Sequence, residues 1–306
     1  MTSGCRSSRE GFILVVVLMI SLLLLGVATS FAVFAKTQMR RVSGEEFALK
    51  ARSLAVIVCA EISEWISSDA NGFDSAREFL YSPDMPLVLP FDDWEVNIRI
   101  TPQDALIPIN AIFLPDGVTV REEYEHPWRE IWALFGKTDV GVVALDFLDS
   151  DEEPRAGGRE ENYFPNRKIS DLSELLRLPE ISADLLYGKA DQEGALSDFF
   201  TVYGNEKVNV NFAPGRVLAI LDPDLGADVA ESIVAYRVDN DIKSAKDLAQ
   251  APGFPPAVSA RLGNVLSYES NFFLVRLGVT YGDNEHNFVM MFKRSGGKCE
   301  IVNWRE

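Results

Sequence analysis

Acidic side chains crowd one segment of the chain, Asp146–Glu161, where seven carboxylates fall within sixteen residues. The seven are Asp146, Asp149, Asp151, Glu152, Glu153, Glu160 and Glu161, and only Arg155 and Arg159 offset them. Hard oxygen ligands on a glycine-containing loop suit Ca²⁺, which accepts about six to eight oxygens in a flexible geometry. The spacing is not that of an EF-hand. The residues alone therefore leave two interpretations open, a calcium site and a solvated acidic surface.

Catalytic chemistry finds little support in the sequence. The chain has only two histidines, His126 beside a proline near a helix start and His286 beside a predicted hairpin turn. Gly-x-Ser-x-Gly, His-Glu-x-x-His, Cys-x-x-Cys and P-loop motifs do not occur. We therefore predict that the protein is not an enzyme, with an anchored periplasmic enzyme as the alternative.

The charge balance argues against nucleic-acid binding. The 306 residues carry 29 basic and 46 acidic side chains, a net charge of −17, and such a surface repels phosphate backbones. The helical pattern of Val208–Leu266 is similar to helix-hairpin-helix DNA-binding modules. Its two hairpin positions, Asp224–Gly226 and Gly253–Pro255, each keep one glycine of two, and Pro255 has no N–H to offer a phosphate. We predict a helical scaffold without the phosphate cradle, and a DNA-uptake module remains an alternative.

An uncharged segment of 24 residues, Phe12–Ala35, lies near the start of the chain. As a helix it would be about 36 Å long, enough to cross a hydrocarbon core of about 30 Å. It therefore predicts one membrane-spanning helix, and a secretory signal cut after Ala35 is the alternative. Basic residues flank the segment on both sides, so charge does not decide its orientation.

An apolar stripe extends the helix past the membrane. Its members are spaced by four, three, four, four and three residues, which is helical spacing: Phe47, Ala51, Leu54, Val58, Ile62 and Trp65. Asn71-Gly72 is a turn signal after it. We predict one helix from Phe12 to about Ser68, and two helices broken near Ser43-Gly44 are the alternative.

Strand patterns lie on both sides of a long helical region. Alternating or β-rich runs occur at Trp94–Thr101, Phe272–Tyr281, Asn287–Arg294 and Lys298–Trp304, and the proline-rich run Pro83–Pro90 reads as a loop. Helical patterns lie between them at Glu122–Phe135, Asp139–Leu148, Ser170–Leu178, Pro214–Leu221, Ala227–Val238, Ser244–Gln250 and Pro256–Leu266. This order predicts an α+β fold in which a large all-α insertion interrupts an antiparallel sheet.

The junction between leader and apolar segment carries a family resemblance. A short basic leader ends at Gly11, and Phe12 begins the apolar run at once. This pattern resembles the class III signal of type IV prepilins and type II secretion pseudopilins. The resemblance implies cleavage between Gly11 and Phe12 by a prepilin peptidase and N-methylation of Phe12. It also implies a cytoplasmic leader and a periplasmic C-terminal domain in the inner membrane.

Further motifs resemble one branch of that family. Most such proteins have Glu as the fifth mature residue, whereas Val16 stands there, as is typical of the K-type minor pseudopilin of type II secretion. Asp146–Arg155 resembles the K-type "DWIDxDxxPR" motif, and Gly157–Phe164 resembles "GGxExxYY". Phe200–Gly204 and Val208–Pro214 resemble "TVYG…INxNTAP". The motifs occur in the family's order and span most of the chain.

The resemblance implies a domain organisation. A pilin-like sheet domain would carry two helical subdomains, of which the second is similar to a helix-hairpin-helix or SAM-like unit. The predicted parts are a leader (1–11), a transmembrane helix (12–35), a stem with the first part of the pilin-like domain (36–101), a first helical insertion with the acidic loop (102–207), a second helical insertion (208–270) and C-terminal strands (271–306).

The resemblance also implies a function. A K-type subunit would cap the pseudopilus tip and help to start its assembly, and a minor pilin of a type IV pilus is the alternative. Its partners would be other minor pseudopilins, the major pseudopilin, the prepilin peptidase and the inner-membrane assembly platform. K-type pseudopilins are calcium binders, which favours the metal interpretation of the acidic segment. The implied calcium ligands are Asp149, Asp151 and Glu160.

The cysteines give no site. Cys5 would leave with the leader, Cys59 lies in the predicted stem helix and Cys299 in a C-terminal strand. A disulfide between the last two is open on sequence grounds, and we favour buried or free thiols.

Overall fold

The structure is a computed structural model that describes residues 7–83, 85, 87–189 and 194–306. It divides into two compact units, residues 1–57 and residues 58–306, and the boundary falls inside the first helix. Residues 1–6 of the predicted leader, Cys5 included, lie outside the described residues. The fold class predicted from the sequence, a long N-terminal apolar helix with an antiparallel sheet, is confirmed.

Eight α-helices and nine strands are assigned among the described residues. The helices are α1 (Ser7–Ser68), α2 (Glu122–Leu134), α3 (Thr138–Leu148), α4 (Ala183–Tyr187), α5 (Gly215–Ile220), α6 (Gly226–Asp239), α7 (Ala245–Leu248) and α8 (Val258–Leu262). The strands are β1 (Leu87–Phe91), β2 (Trp94–Pro102), β3 (Ile107–Pro108), β4 (Phe200–Thr201), β5 (Val208–Asn209), β6 (Leu266–Ser267), β7 (Phe272–Tyr281), β8 (Asn284–Ser295) and β9 (Lys298–Arg305). Short 3₁₀ helices occupy Ile109–Ala111, Leu172–Arg177 and Leu196–Asp198.

Helix α1 is continuous, so the alternative of a break near Ser43-Gly44 is wrong. Leu, Val and Ala dominate its first half and favour the helix, and Gly44 is tolerated in the middle because the turns on either side continue the hydrogen-bond ladder. The apolar half from Phe12 is long enough to span a membrane, and none of its most apolar window is buried within the protein. The end of the helix, in the second unit, buries Val58, Ile62 and Ile66 completely.

The sheet of the second unit has five antiparallel strands in the order β1-β2-β7-β8-β9. Alternate residues of β2 are buried, as the period-2 pattern predicts: Val96, Ile98 and Ile100. Strands β2 and β7 are neighbours in the sheet although residues 103–271 separate them in the chain. The insertion therefore leaves and rejoins the sheet at the same end.

Two predicted boundaries need correction. The run Pro83–Pro90, predicted as a loop, contains the start of strand β1 in its described part. Proline is tolerated there because β1 lies at the sheet edge and pairs on one side only. The helical run Ser170–Leu178 is shorter than predicted and forms the 3₁₀ helix Leu172–Arg177, whose N-cap residue Asp171 accepts the Ser173 N–H.

The insertion is mainly helical, but it is not purely α-helical. It also contains two short parallel strand pairs, β3 with β4 and β5 with β6. Two-residue strands are too short to show an alternating pattern, so the sequence could not indicate them. One continuous cluster of buried apolar side chains runs from Ile107 to Leu266, so the two predicted helical insertions share a core.

Buried carboxylates fasten the insertion to the sheet. Asp104, which is 1% exposed, follows β2 and accepts three backbone N–H bonds, from Asn205 (3.0 Å), Asn271 (2.8 Å) and Phe272 (2.8 Å). Burial raises the pKa of Asp104, and the three N–H donors oppose that rise. One side chain thus joins the exit and the return of the insertion. Each bond to an ionised acceptor stabilises the fold by about 1.5–3 kcal/mol.

A second buried aspartate closes the same neck. Asp74 is fully buried and binds the Arg294 Nη2 at 2.6 Å, and its Oδ2 also accepts the Ser270 N–H. The Asp74 N–H donates to the Tyr268 carbonyl (2.7 Å), and the Asp74 carbonyl accepts the Asn209 side-chain amide (3.3 Å). Burial raises the pKa of Asp74, and Arg294 opposes that rise.

A candidate cation site in the acidic loop

Helix α3 and the loop after it position the acidic side chains. The helix buries Val143, Ala144 and Phe147 in the insertion core, and the same packing buries Asp146 and Asp149. Asp149 is the C-cap residue, whose N–H donates to the Leu145 carbonyl at 2.9 Å. The C-terminal end of a helix carries partial negative charge and favours a cation.

The predicted ligands meet in one place. Asp149, Asp151 and Glu160 each offer a carboxylate oxygen, and these oxygens lie within 4.8 Å of one another. Asp149 is 1% exposed, and the other two are partly buried. Of the seven acidic residues in the segment, Glu152, Glu153 and Glu161 are instead exposed. The fold thus separates the three converging side chains from a solvated remainder.

Several buried oxygens around this cluster have no hydrogen-bond donor among the described residues. They are Asp146 Oδ2, Asp149 Oδ1, Glu160 Oε1 and Asn166 Oδ1. A buried acceptor without a partner costs about 1–3 kcal/mol, and more when it is charged. Four such oxygens from one helix end and one loop are the donor set that a hard cation prefers, so the residues present fit Ca²⁺.

The available positive charge is too small for the cluster. Arg155 reaches Asp149 Oδ2 at 2.9 Å and Asp146 Oδ1 at 3.5 Å, and its Nη2 also donates to the Val118 carbonyl. Burial nevertheless raises the pKa of Asp149 to about 7, against the lowering effect of Arg155. Burial also raises the pKa of Asp146 and of Glu160. Crowded carboxylates with raised pKa values are those that a bound cation would stabilise in the charged form.

Gly158 is required for the close packing of this loop. A Cβ on Gly158 would lie 1.9 Å from Asp146 Oδ2 and 2.8 Å from Asp146 Cγ. These distances are too short for any side chain, so only glycine lets the loop pass over the buried Asp146 carboxylate.

Sequence reasoning missed two members of the site. Asp146 belongs to the acidic segment but was not among the predicted ligands, because burial on the inner side of α3 is not visible in charge spacing. Asn166 has a left-handed backbone (φ 43°), and its amide donates to the Asp151 carbonyl (2.5 Å) and to Glu160 Oε2 (3.3 Å). A single Asn carries no motif, so no sequence signal could have found it.

The helix-hairpin-helix positions hold an ion pair. Arg261 binds Asp222 with two nitrogens at 2.7 and 2.8 Å and Asp224 at 2.6 Å, just before α6 begins. The arginine holds the pKa of Asp222 below its usual range. The loss of the phosphate cradle stays a prediction, and carboxylates before a helix start are unfavourable neighbours for a phosphate.

The other predicted residues lie in simpler surroundings. Gly11 and Phe12 lie within α1, and Phe12 is 70% exposed. Cys59 and Cys299 are both buried free thiols, and burial raises the pKa of Cys59 to about 12 and that of Cys299 to about 11. Thiols with such high pKa values are poor nucleophiles.

Comparison with known proteins finds similar sequences and a similar fold in type II secretion systems. A family model described as type II secretion system (T2SS), protein K, matches residues 208–267, from β5 to β6. Type II secretion system protein K of Pectobacterium carotovorum subsp. carotovorum is 24% identical over 323 residues, covering 97% of this chain and 96% of that protein. The resemblance to type II secretion protein K is confirmed.

A solved structure has a fold similar to that of this chain. It is a chain of the crystal structure of the GspK-GspI-GspJ complex from the type 2 secretion system of enterotoxigenic Escherichia coli. The TM-score is 0.61 at 16% identity, and the match covers 89% of this chain and 98% of the other. The protein K family is a structural component of a secretion system.

We expect the substitution Gly158→Ala to destabilise the acidic loop. The new Cβ must displace Asp146, which should lower the free energy of unfolding by about 1–3 kcal/mol. Gly44→Ala is the control, because no atom lies within 4 Å of its Cβ position and alanine favours a helix. Urea unfolding of the full-length chain in detergent measures both. A Gly158→Ala chain as stable as the parent would contradict the packing argument.

Proposed function

We propose that this protein is a minor pseudopilin of a type II secretion system, which caps the pseudopilus tip and helps to start its assembly. The observation that carries this proposal is the continuous helix α1, apolar and unburied in its first half and joined to an α+β unit with a large insertion. The protein K resemblance supports the class of function. The partners would be other minor pseudopilins, the major pseudopilin and the inner-membrane assembly platform.

The membrane orientation is part of the proposal. Helix α1 would anchor the chain in the inner membrane as a single span, with the leader in the cytoplasm and residues after the span in the periplasm. A prepilin peptidase would cut between Gly11 and Phe12, and Phe12 would then be N-methylated. The abrupt change from a basic leader to an apolar run at Phe12 supports this cleavage position.

Mass spectrometry of the protein purified from membranes tests the processing. We expect a mature chain that begins with methylated Phe12. Gly11→Leu should block cleavage, because the peptidase must accept a residue without a side chain at that position. Gly26→Ala, a glycine change deeper in the span, should leave cleavage unchanged. A mature chain that begins at Lys36 would instead indicate an ordinary secretory signal.

Position at the tip is supported by the residue at position 16. A Glu at the fifth mature position could bind the N-terminal ammonium of the subunit above it, which offsets the cost of a charge in hydrocarbon. Val16 has no charge to offer, so the subunit gains no such attraction from above. It still presents its own ammonium to a subunit below. The tip is the one position in a filament where this asymmetry carries no cost.

The insertion supports the same position. The described part of residues 103–271 contains a continuous core and lies in the chain between two adjacent strands of the sheet. If every subunit of a helical filament carried an insertion of that size, the insertions would clash sterically with neighbouring subunits. A single copy at the end of the filament has no neighbour above it to meet.

Electron microscopy of pseudopili with a label fused after Glu306 tests the position. We expect one label per filament, at one end, and reduced assembly and secretion when the gene is deleted. Val16→Glu should not improve assembly, because a carboxylate without a partner in hydrocarbon costs about 2.5–3.5 kcal/mol. Val16→Leu is the matched apolar control. Labels spaced along the shaft would contradict the tip position.

We also propose that the acidic loop binds calcium. Asp149, Asp151 and Glu160 would hold the ion, with Asp146 and Asn166 beside them. The ion would supply the positive charge that Arg155 alone does not. It would thereby fix the loop between Asp149 and Asn166 to the end of α3.

Thermal melting with and without calcium tests this site. A ligand that binds only the folded state adds about 2.7 kcal/mol of stability at 100 times its Kd, so the melting temperature should rise with Ca²⁺ and fall with chelator. Asp149→Asn and Asp151→Asn should each weaken the rise. Glu152→Gln, an exposed neighbour outside the cluster, should not. Identical melting curves with calcium and with chelator would overturn the proposal.

A further inference from the structure

A second group of carboxylates lies at the end of helix α1, away from the acidic loop in sequence. Asp69, Asp74 and Glu78 each offer an oxygen, and these oxygens lie within 4.8 Å of one another. Asp69 follows the last residue of α1, and the other two lie in the segment that leads away from it. All three belong to the second unit of the chain, residues 58–306.

One side chain of this group is buried with an oxygen unused. Asp74 is 0% exposed, and its Oδ2 is taken by the Ser270 N–H and Arg294 Nη2. Its Oδ1 is buried and has no hydrogen-bond partner in the part of the chain that the structure describes. An ionised oxygen in that state is costly, and the group it belongs to contains two further carboxylates.

The neighbouring side chains leave the group short of positive charge. Arg294 approaches both Asp74 (2.6 Å) and Asp69 (3.7 Å), and it donates to the Asp69 carbonyl at 3.2 Å. One guanidinium against three carboxylates leaves a formal charge of −2. The nearby Asp241 does not add to this negative charge, because Arg77 (4.0 Å) and Lys243 (3.9 Å) lie beside its carboxylate.

The remaining contacts hold the carboxylates in place without neutralising them. The Tyr81 hydroxyl donates to Asp69 Oδ2 at 2.7 Å. Glu78 Oε2 accepts the Ser75 N–H at 2.7 Å, and Glu78 Oε1 accepts the Asn71 amide. Each of these oxygens keeps a second lone pair that a cation can use.

We propose that Asp69, Asp74 and Glu78 bind a divalent cation, Ca²⁺, at the C-terminal end of α1. The ligands are all oxygens, without the nitrogen or sulfur that Zn²⁺ prefers, and they come from a loop whose geometry suits Ca²⁺ better than the rigid octahedron of Mg²⁺. The negative end of the α1 dipole adds to the attraction. The ion replaces the two missing positive charges and ties the end of α1 to the neck that Asp74 and Arg294 close.

Terbium luminescence in the full-length chain in detergent tests the site, because Tb³⁺ occupies Ca²⁺ sites and emits when a nearby tyrosine is excited. Tyr81 touches Asp69 and is placed to sensitise it. The background is Asp149→Asn, which should weaken binding at the acidic loop, and the dependence on Tyr81 and Glu78 separates this site from that loop. We expect Tb³⁺ emission in this background that Ca²⁺ displaces and that Tyr81→Phe reduces.

Matched variants decide which residues bind. Glu78→Gln keeps the hydrogen bonds of the side chain but removes its charge, and it should raise the Kd for Tb³⁺ by about tenfold or more. Glu61→Gln, an exposed carboxylate on α1, should leave the Kd unchanged. Circular dichroism checks folding, and Asp69→Asn replaces Glu78→Gln if the latter does not fold. Tb³⁺ emission that Ca²⁺ does not displace would overturn the proposal. An unchanged Kd for Tb³⁺ in Glu78→Gln, or in Asp69→Asn where that variant replaces it, would also overturn it.

Discussion

Burial of carboxylates, and the need to give each one a partner, is the constraint on which this structure depends. Asp104 lies where the insertion leaves the sheet and accepts three backbone N–H bonds, from Asn205 inside the insertion and from Asn271 and Phe272 where the chain returns. Asp74 meets the same constraint with Arg294 and the Ser270 N–H. These contacts lie where the chain leaves and rejoins the sheet, so the two side chains contribute to the position of the insertion.

The same constraint explains why cations are expected at two places. In the acidic loop and at the end of α1, the carboxylate oxygens outnumber the hydrogen-bond donors around them. Buried oxygens without a donor among the described residues therefore remain on Asp146, Asp149, Glu160 and Asp74. Arginine is present at both places and is outnumbered. The chain has a net charge of −17, so few basic side chains are available to pair with these carboxylates, and this is why we propose cations at both places.

The insertion also relates the fold to the proposed role. Strands β2 and β7 pair along their full length, so the sheet does not depend on how far the chain travels between them. A pilin-like sheet can therefore carry a large helical body without losing its register. The backbone hydrogen bonds of the apolar half of α1 are made within the helix, so this half requires no hydrogen-bond partners from the insertion. In the proposed function, the helix would serve as the membrane anchor and the insertion would lie at the tip.

What could be determined from the sequence depended on local spacing. Residues close together in the sequence were enough to predict the apolar segment from Phe12, the strands β2 and β7, and the crowding of acids after Asp146. Helix and strand periods repeat over a few positions, so short stretches of sequence show them. The family resemblance indicated Asp149, Asp151 and Glu160 in advance. Only the tertiary structure decided that Asp146 and Asn166 lie beside them, that β1 forms at the sheet edge, and that Asp69, Asp74 and Glu78 meet beside Arg294. Those contacts join residues up to 225 positions apart, and packing of the whole chain sets them rather than any local pattern.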